Sequence, residues 1–164
     1  MKILIKQEGF SLFEVLIALL VFSIGLLGLA HLQGFSMSSS YNSYLRAQAT
    51  SLASNIVDRM RANRDQAIIL NAYQIDFEDS PPSTSIDCSA GCTPAQMAQL
   101  DLLEWKCNLG NYAAENFCNG LVSQATLPNG DGEIKSVNNG QIEVTVRWTD
   151  TLGEDHQVVL FTGL

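Results

Sequence analysis

No proline stands between Ser11 and Arg64, and from Phe10 to Ala30 the chain carries a single charged residue, Glu14. The first absence removes the strongest helix breaker. The second leaves twenty of twenty-one residues uncharged. Cysteine does not occur before Cys88. Bases are scarce after residue 65, where Lys106, Lys135 and Arg147 face thirteen acids, a balance of −10. A domain so poor in clustered Lys and Arg is unsuited to a phosphate backbone, and anionic lipid would repel it. Nucleic acid is therefore not an expected partner. The chain also lacks a Walker loop, a dinucleotide fingerprint, a nucleophile elbow and any internal repeat. Without these signatures no catalytic site and no cofactor is expected.

What is present begins with the run FSLFEVLIALLVFSIGLLGLA, Phe10 to Ala30. As a helix it would span about 30 Å, one hydrocarbon core. Glu14 is its exception, and a carboxylate in lipid costs on the order of 2–3 kcal/mol. It needs a cationic partner, or it snorkels to the headgroups. Lys2 and Lys6 precede the run. Basic residues on that side hold it in the cytoplasm, so the rest of the chain would cross the inner membrane. Gly28-Leu29-Ala30 resembles a signal-peptidase site, which makes an ordinary secretory signal the rival reading.

Past Ala30 the pattern changes. Leu45, Ala49, Leu52, Ala53, Ile56 and Met60 recur at three- and four-residue steps, while Arg46, Asn55, Arg59 and Asn63 face elsewhere. One long helix is expected, with its first half in lipid and its second half under a globular head. Gly25, Gly28 and Gly34 weaken it without breaking it. The Pro-, Ser- and Asp-rich stretch between Tyr73 and Gly91 reads as loop. Thr93, Pro94 and Gln96 form a helix start with a capping box. The helix they open is expected to run to about Asn108, with Met97, Leu100, Leu103 or Glu104, and Cys107 in its buried stripe and Gly110 as its stop. The last third reads as strands: Glu133 to Val137, the alternating Ile142, Val144, Val146 and Trp148, and Val158 to Phe161. Asn139-Gly140 signals a hairpin, and Gly153 a second turn. The fold class is α+β: a long N-terminal helix, half membrane and half amphipathic, packed on a small antiparallel sheet of three or four strands.

Cys88, Cys92, Cys107 and Cys118 all fall in the head. Outside the cytoplasm they are disulfide candidates, and four cysteines allow three connectivities. A four-thiolate zinc site is the rival, although the spacings lack paired C-x2-C knuckles. Asn129 to Glu133 has calcium-loop residue types without the full spacing and reads as a turn. His156 beside Asp155 reads as solvent-facing, and no metal is expected.

The segment Lys6-Gln7-Glu8-Gly9-Phe10-Ser11-Leu12-Phe13-Glu14, with the apolar run behind it, resembles the type IV pilin precursor family. Cys92 to Trp105 and the closing strand VTVRW resemble the PilV group of minor pilins. The resemblance implies cleavage between Gly9 and Phe10 by a prepilin peptidase, N-methylation of Phe10, and a docking role for Glu14 toward the N-terminal ammonium of a neighbouring subunit. It implies a leader at 1–9, a membrane and assembly helix at 10–30, an amphipathic helix at 31–65 and a pilin-like periplasmic head at 66–164. The partners implied are other minor and major pilins, the peptidase and inner-membrane lipid. Pseudopilins of type II secretion share the N-terminal motif. A departure is His31, which stands about where many pilins carry a helix-bending proline.

Overall fold

A computed structural model describes residues 9, 11–82, 86, 88–89, 91–121, 125–137 and 140–164. Lys2, Lys6 and Phe10 of the N-terminal motif, and Asn139 of the expected hairpin turn, lie outside the described residues. The elements are α1 (Leu12–Ala62), α2 (Arg64–Ile68), α3 (Pro94–Leu109), a short 3-10 turn (Asn116–Cys118), β1 (Asp131–Val137), β2 (Gln141–Thr149) and β3 (Asp155–Gly163). The chain divides into two units, one ending at Tyr41 and the other spanning Asn42–Leu164.

The first unit is the apolar part of α1. The helix passes through His31 without a proline, and Gly25, Gly28 and Gly34 lie within it. Ser11 opens it: its carbonyl accepts from the Glu14 and Val15 amides, and its hydroxyl from Phe13 N. Its large apolar residues, including Leu12, Phe13, Leu20, Phe22 and Leu27, are exposed. By length and composition α1 can cross a membrane.

The second unit has the core. Leu45, Ala49, Ala53, Ile56 and Met60 of α1 are buried as their periodicity predicts, joined by Val57, with Leu52 half-buried. They pack against Ile142, Val144, Val146 and Trp148, the alternate residues of β2. The sheet is an antiparallel meander of order β1-β2-β3, so the amphipathic half of the long helix packs on a three-stranded sheet. Unbroken registers join β1 to β2 and β2 to β3. Gly153 turns the second hairpin at φ 83°, a conformation open to glycine. Gly132 lies so close to Trp105 and Leu109 that a Cβ would overlap both side chains.

The capping box forms as expected: the Thr93 hydroxyl accepts from Gln96 N, and the Gln96 side chain accepts from Thr93 N. Pro94 occupies the first turn, and Gly110 follows the last residue at φ 132°. The rotation of α3 differs from the expected stripe. Ala98, Leu102, Trp105 and Leu109 face the main core, whereas Met97 is 41% exposed. Trp105 sets this rotation. It has the largest apolar side chain on α3, and its indole N–H donates to Leu52 O of α1 at 3.0 Å. Leu103 and Cys107 turn instead into a satellite cluster with Cys118, Tyr112 and Phe117.

Arg59 and Asn63 do not face away from the domain. Arg59 Nη1 reaches Asp101 at 2.9 Å and Glu104 at 2.6 Å, and Asn63 Nδ2 donates to Pro94 O at 2.7 Å. Polar residues at the margin of the stripe thereby stitch α1 to α3. Within the loop after α2, Ile75 exchanges two backbone bonds with Ile134 and so covers the outer edge of β1.

Candidate functional site

Gly9 is exposed, and a Cβ there would meet nothing within 4 Å. No contact in the described structure demands glycine at this position. Phe10 lies outside the described residues. Glu14 sits in the first turn of α1, exposed, on a surface shared with Val15, Ala18, Leu19 and Phe22. Among the described residues no cation pairs with it. A helix N-terminus favours an anion, but an apolar surround still leaves a carboxylate in need of a positive charge.

The four cysteines form two bridges, Cys88–Cys92 and Cys107–Cys118. No thiolate remains for zinc. Cys107 is presented by α3 and Cys118 by the 3-10 turn, and both are buried. The spacing left three connectivities open. Burial of Cys107 and Cys118 in one satellite cluster joins them, and Cys88 and Cys92 pair across a four-residue step.

Charged groups inside the head are used in structure. Lys106 is fully buried, its Nζ 2.7 Å from Asp131 Oδ1 and 3.0 Å from Asp76 O. Burial lowers its pKa, and the hydrogen bond and charge of Asp131 pull it back. The other Asp131 oxygen accepts Glu78 N at 2.7 Å. Tyr73 Oη donates to Asp101 Oδ2 at 2.6 Å, and burial with that bond raises its pKa. A polar cleft of about 680 Å³ lies beside Asp131 and Arg147, and its walls pair with one another, as in Arg147–Glu78 at 3.0 Å.

Asp150, Glu154 and His156 bring three possible metal ligands together. Asp150 is already engaged. Its Oδ1 accepts the amides of Leu152 and Glu154, and its Oδ2 lies 3.2 Å from His156 Nε2 and 3.4 Å from Asn42 Nδ2. This is the organiser of the β2–β3 turn. His156 is half-buried and stacked on Trp148 with centroids 5.7 Å apart, rather than free in solvent. Of the stretch expected as a turn, only Asn129 and Gly130 lead in, with Asn129 at φ 50°; Asp131, Gly132 and Glu133 already belong to β1, and Asp131 is spent on Lys106.

Residues 4–30 match the prokaryotic N-terminal methylation motif. Residues 31–103 match the family described as Tt1218-like, type IV pilin Tt1218. No curated protein and no solved structure matches the chain. The two matched segments abut and take in the apolar helix, its amphipathic continuation, the loop and most of α3. Neither is specific to the PilV group. Pilins are in general structural subunits rather than enzymes, processed by a prepilin peptidase and partnered by other pilins. With the methylation motif at its start, a membrane-length apolar helix behind it and an antiparallel sheet packed on the continuation of that helix, the chain belongs to the type IV pilin precursor family.

Proposed function

We propose that the protein is a minor type IV pilin of the PilV kind, which takes part in starting or capping a pilus. The observation that carries this is Glu14, one carboxylate on an exposed apolar helix surface with no cation beside it among the described residues. Cleavage after Gly9 would give Phe10 a new amino group at a similar depth in the membrane. A neighbour's ammonium would then meet Glu14, while the apolar surfaces of the helices pack. Removing one partner of such a buried pair costs about 3–5 kcal/mol, so charge would select the correct neighbour. Methylation would occur on the Phe10 nitrogen.

In this reading residues 1–9 are the leader, residues 10–30 insert in the inner membrane and residues 31–65 carry the head. Lys2 and Lys6 keep the leader cytoplasmic, and the head, 66–164, lies in the periplasm. Two disulfides in the head fit an oxidising compartment. A Cβ at Gly9 would meet nothing within 4 Å among the described residues, which supports reading the glycine as a requirement of the peptidase.

Mass spectrometry of the mature N-terminus tests the reading. A chain starting at methylated Phe10 is the expected result. An intact Met1, or a start at His31, would replace it with a signal-anchored or secreted module. Gly9→Val should block processing, and a normal-sized mature band would contradict the assignment. Deletion should abolish surface pili, whereas loss of protein export with pili intact would identify a pseudopilin of type II secretion.

A further inference from the structure

The two edges of the sheet are finished differently. At β1, Ile134 gives both its outward backbone groups to Ile75, at 2.9 and 3.2 Å, and Lys135 stands beside it. At β3 nothing among the described residues plays this part. Asp150 N donates to Glu154 O, and the β2–β3 register continues from there without a bulge. An antiparallel ladder bonds alternate pairs. His156, Val158, Leu160 and Thr162 therefore bond to β2, and the N–H and C=O groups of Gln157, Val159 and Phe161 point away from the sheet.

The core is unfinished on the same side. Val144 and Val146 of β2 are 0% exposed, yet Val158 and Leu160, their neighbours on the core face of β3, are half-buried. Phe161 is 66% exposed. Proteins that keep an edge unpaired protect it with Lys, Pro, a bulge or a cover. The strand DHQVVLFTG has no Lys, Pro or bulge; its one charge, Asp155, stands at its first residue, and Arg61 and Arg64 reach only its far end, at Thr162 Oγ1 and Leu164 O.

The geometry points to β3 as the docking edge for an extended segment of a neighbouring pilin-type subunit, added as a fourth strand. Backbone groups of Gln157, Val159 and Phe161 would supply the ladder, and apolar side chains at alternate positions of the segment would cover Val158 and Leu160. The segment should carry Lys or Arg. The region after residue 65 has a balance of −10, and its three bases are already paired, Lys106 with Asp131, Lys135 with Glu133 and Arg147 with Glu78. That charge disfavours a second copy of the same chain. The partner class rests on the minor-pilin reading above; the open edge does not.

The test is site-specific photocrosslinking in the full-length protein in native membranes, with a photoreactive residue at Gln157 or at Phe161 and a control at exposed Glu115. The expected adducts from the two β3 positions fall on one segment of another pilin-type subunit, at sites about four residues apart, as paired strands require. Val159→Pro removes the central outward donor and leaves the bonds to β2 in place. It should lower adduct yield roughly tenfold, equivalent to about 1.4 kcal/mol. Val159→Lys keeps the backbone and should lower the yield likewise by repelling a basic segment. Adducts on the chain's own copy, adducts scattered over a helix, no adducts, or yields unchanged in both variants would overturn the docking edge. The mature N-terminus is read from the same membranes. A methylated Phe10 without adducts removes the edge and leaves the pilin reading standing, whereas an uncleaved leader removes the pilin reading itself.

Discussion

Lys106 Nζ and Asp131 Oδ1 meet at 2.7 Å with 0% and 2% of their side chains exposed, tying α3 to the first residue of β1. A buried pair is weak as a net stabiliser, because both charges lose their water. It is strong as a constraint, since neither partner can be removed alone. Lys106→Met leaves Asp131 charged in the interior with Arg147 no nearer than 3.6 Å. The loss should be about 3–5 kcal/mol, read by urea unfolding followed by circular dichroism. A loss under about 1 kcal/mol would mean that water reaches the pair.

The two disulfides should differ in weight. Cys107–Cys118 closes an eleven-residue separation inside a buried cluster, and Cys88–Cys92 a separation of four in an irregular stretch. Chain entropy assigns about 3 kcal/mol to the first and about 2 to the second. Loss of packing adds to the first. Serine pairs at 107 and 118 should therefore lower the unfolding midpoint more than serine pairs at 88 and 92. The reverse order would show that the satellite cluster contributes little.

Acid should loosen the β2–β3 turn through Asp150. The Glu154 amide, and after it His156 and the Leu152 amide, hold the Asp150 carboxyl below its ordinary range. A depressed folded pKa means that the unfolded chain binds the proton more readily. The stability gained is present above the ordinary carboxylate value, about 3.9, and disappears as pH falls through the lower folded value. Asp150→Asn should thus be less stable than wild type at neutral pH, with the gap closing at strongly acidic pH. Urea unfolding of both proteins across that range checks the convergence, and a gap independent of pH would assign the effect to side-chain geometry.

How much of this was legible depended on whether the signal was local. Thr93, Pro94 and Gln96 specify a helix start within four residues, and the structure has that cap. The alternation of Ile142, Val144, Val146 and Trp148 specifies a strand with one buried face, and β2 has it. The rotation of α3 was not local. It depends on where Trp105 finds an acceptor on α1, fifty-three residues away. Nothing in the residues around Lys106 announces its burial, because Asp131 is brought to it from the sheet. The strand-like exchange of Ile75 lies in a stretch whose composition says loop. The methylation motif at Gly9 to Glu14 was legible because it is a contiguous pattern read by other proteins. On the proposed docking reading the partner of Glu14 belongs to a neighbouring subunit, and no fold of one chain could display it.

Glu14→Ala separates insertion from assembly. Alanine removes the charge that opposes burial in lipid, on the order of 2–3 kcal/mol, so the amount of protein in the membrane should stay the same or rise. Packing of α1 on other helices loses little, because Val15, Ala18, Leu19 and Phe22 remain. On the docking reading, what disappears is the attraction toward a neighbour's N-terminal ammonium. Incorporation should fall by roughly tenfold or more, the effect of about 1.4 kcal/mol, and less than the full value of a buried pair because the ammonium can still reach headgroup phosphates. The measurement is the ratio of variant in sheared pili to variant in membranes, set against the same ratio for wild type, with the mature N-terminus confirmed in both. Equal ratios would show that Glu14 sits at the lipid headgroups and pairs with nothing, and the assembly role would then have to come from the apolar surface alone.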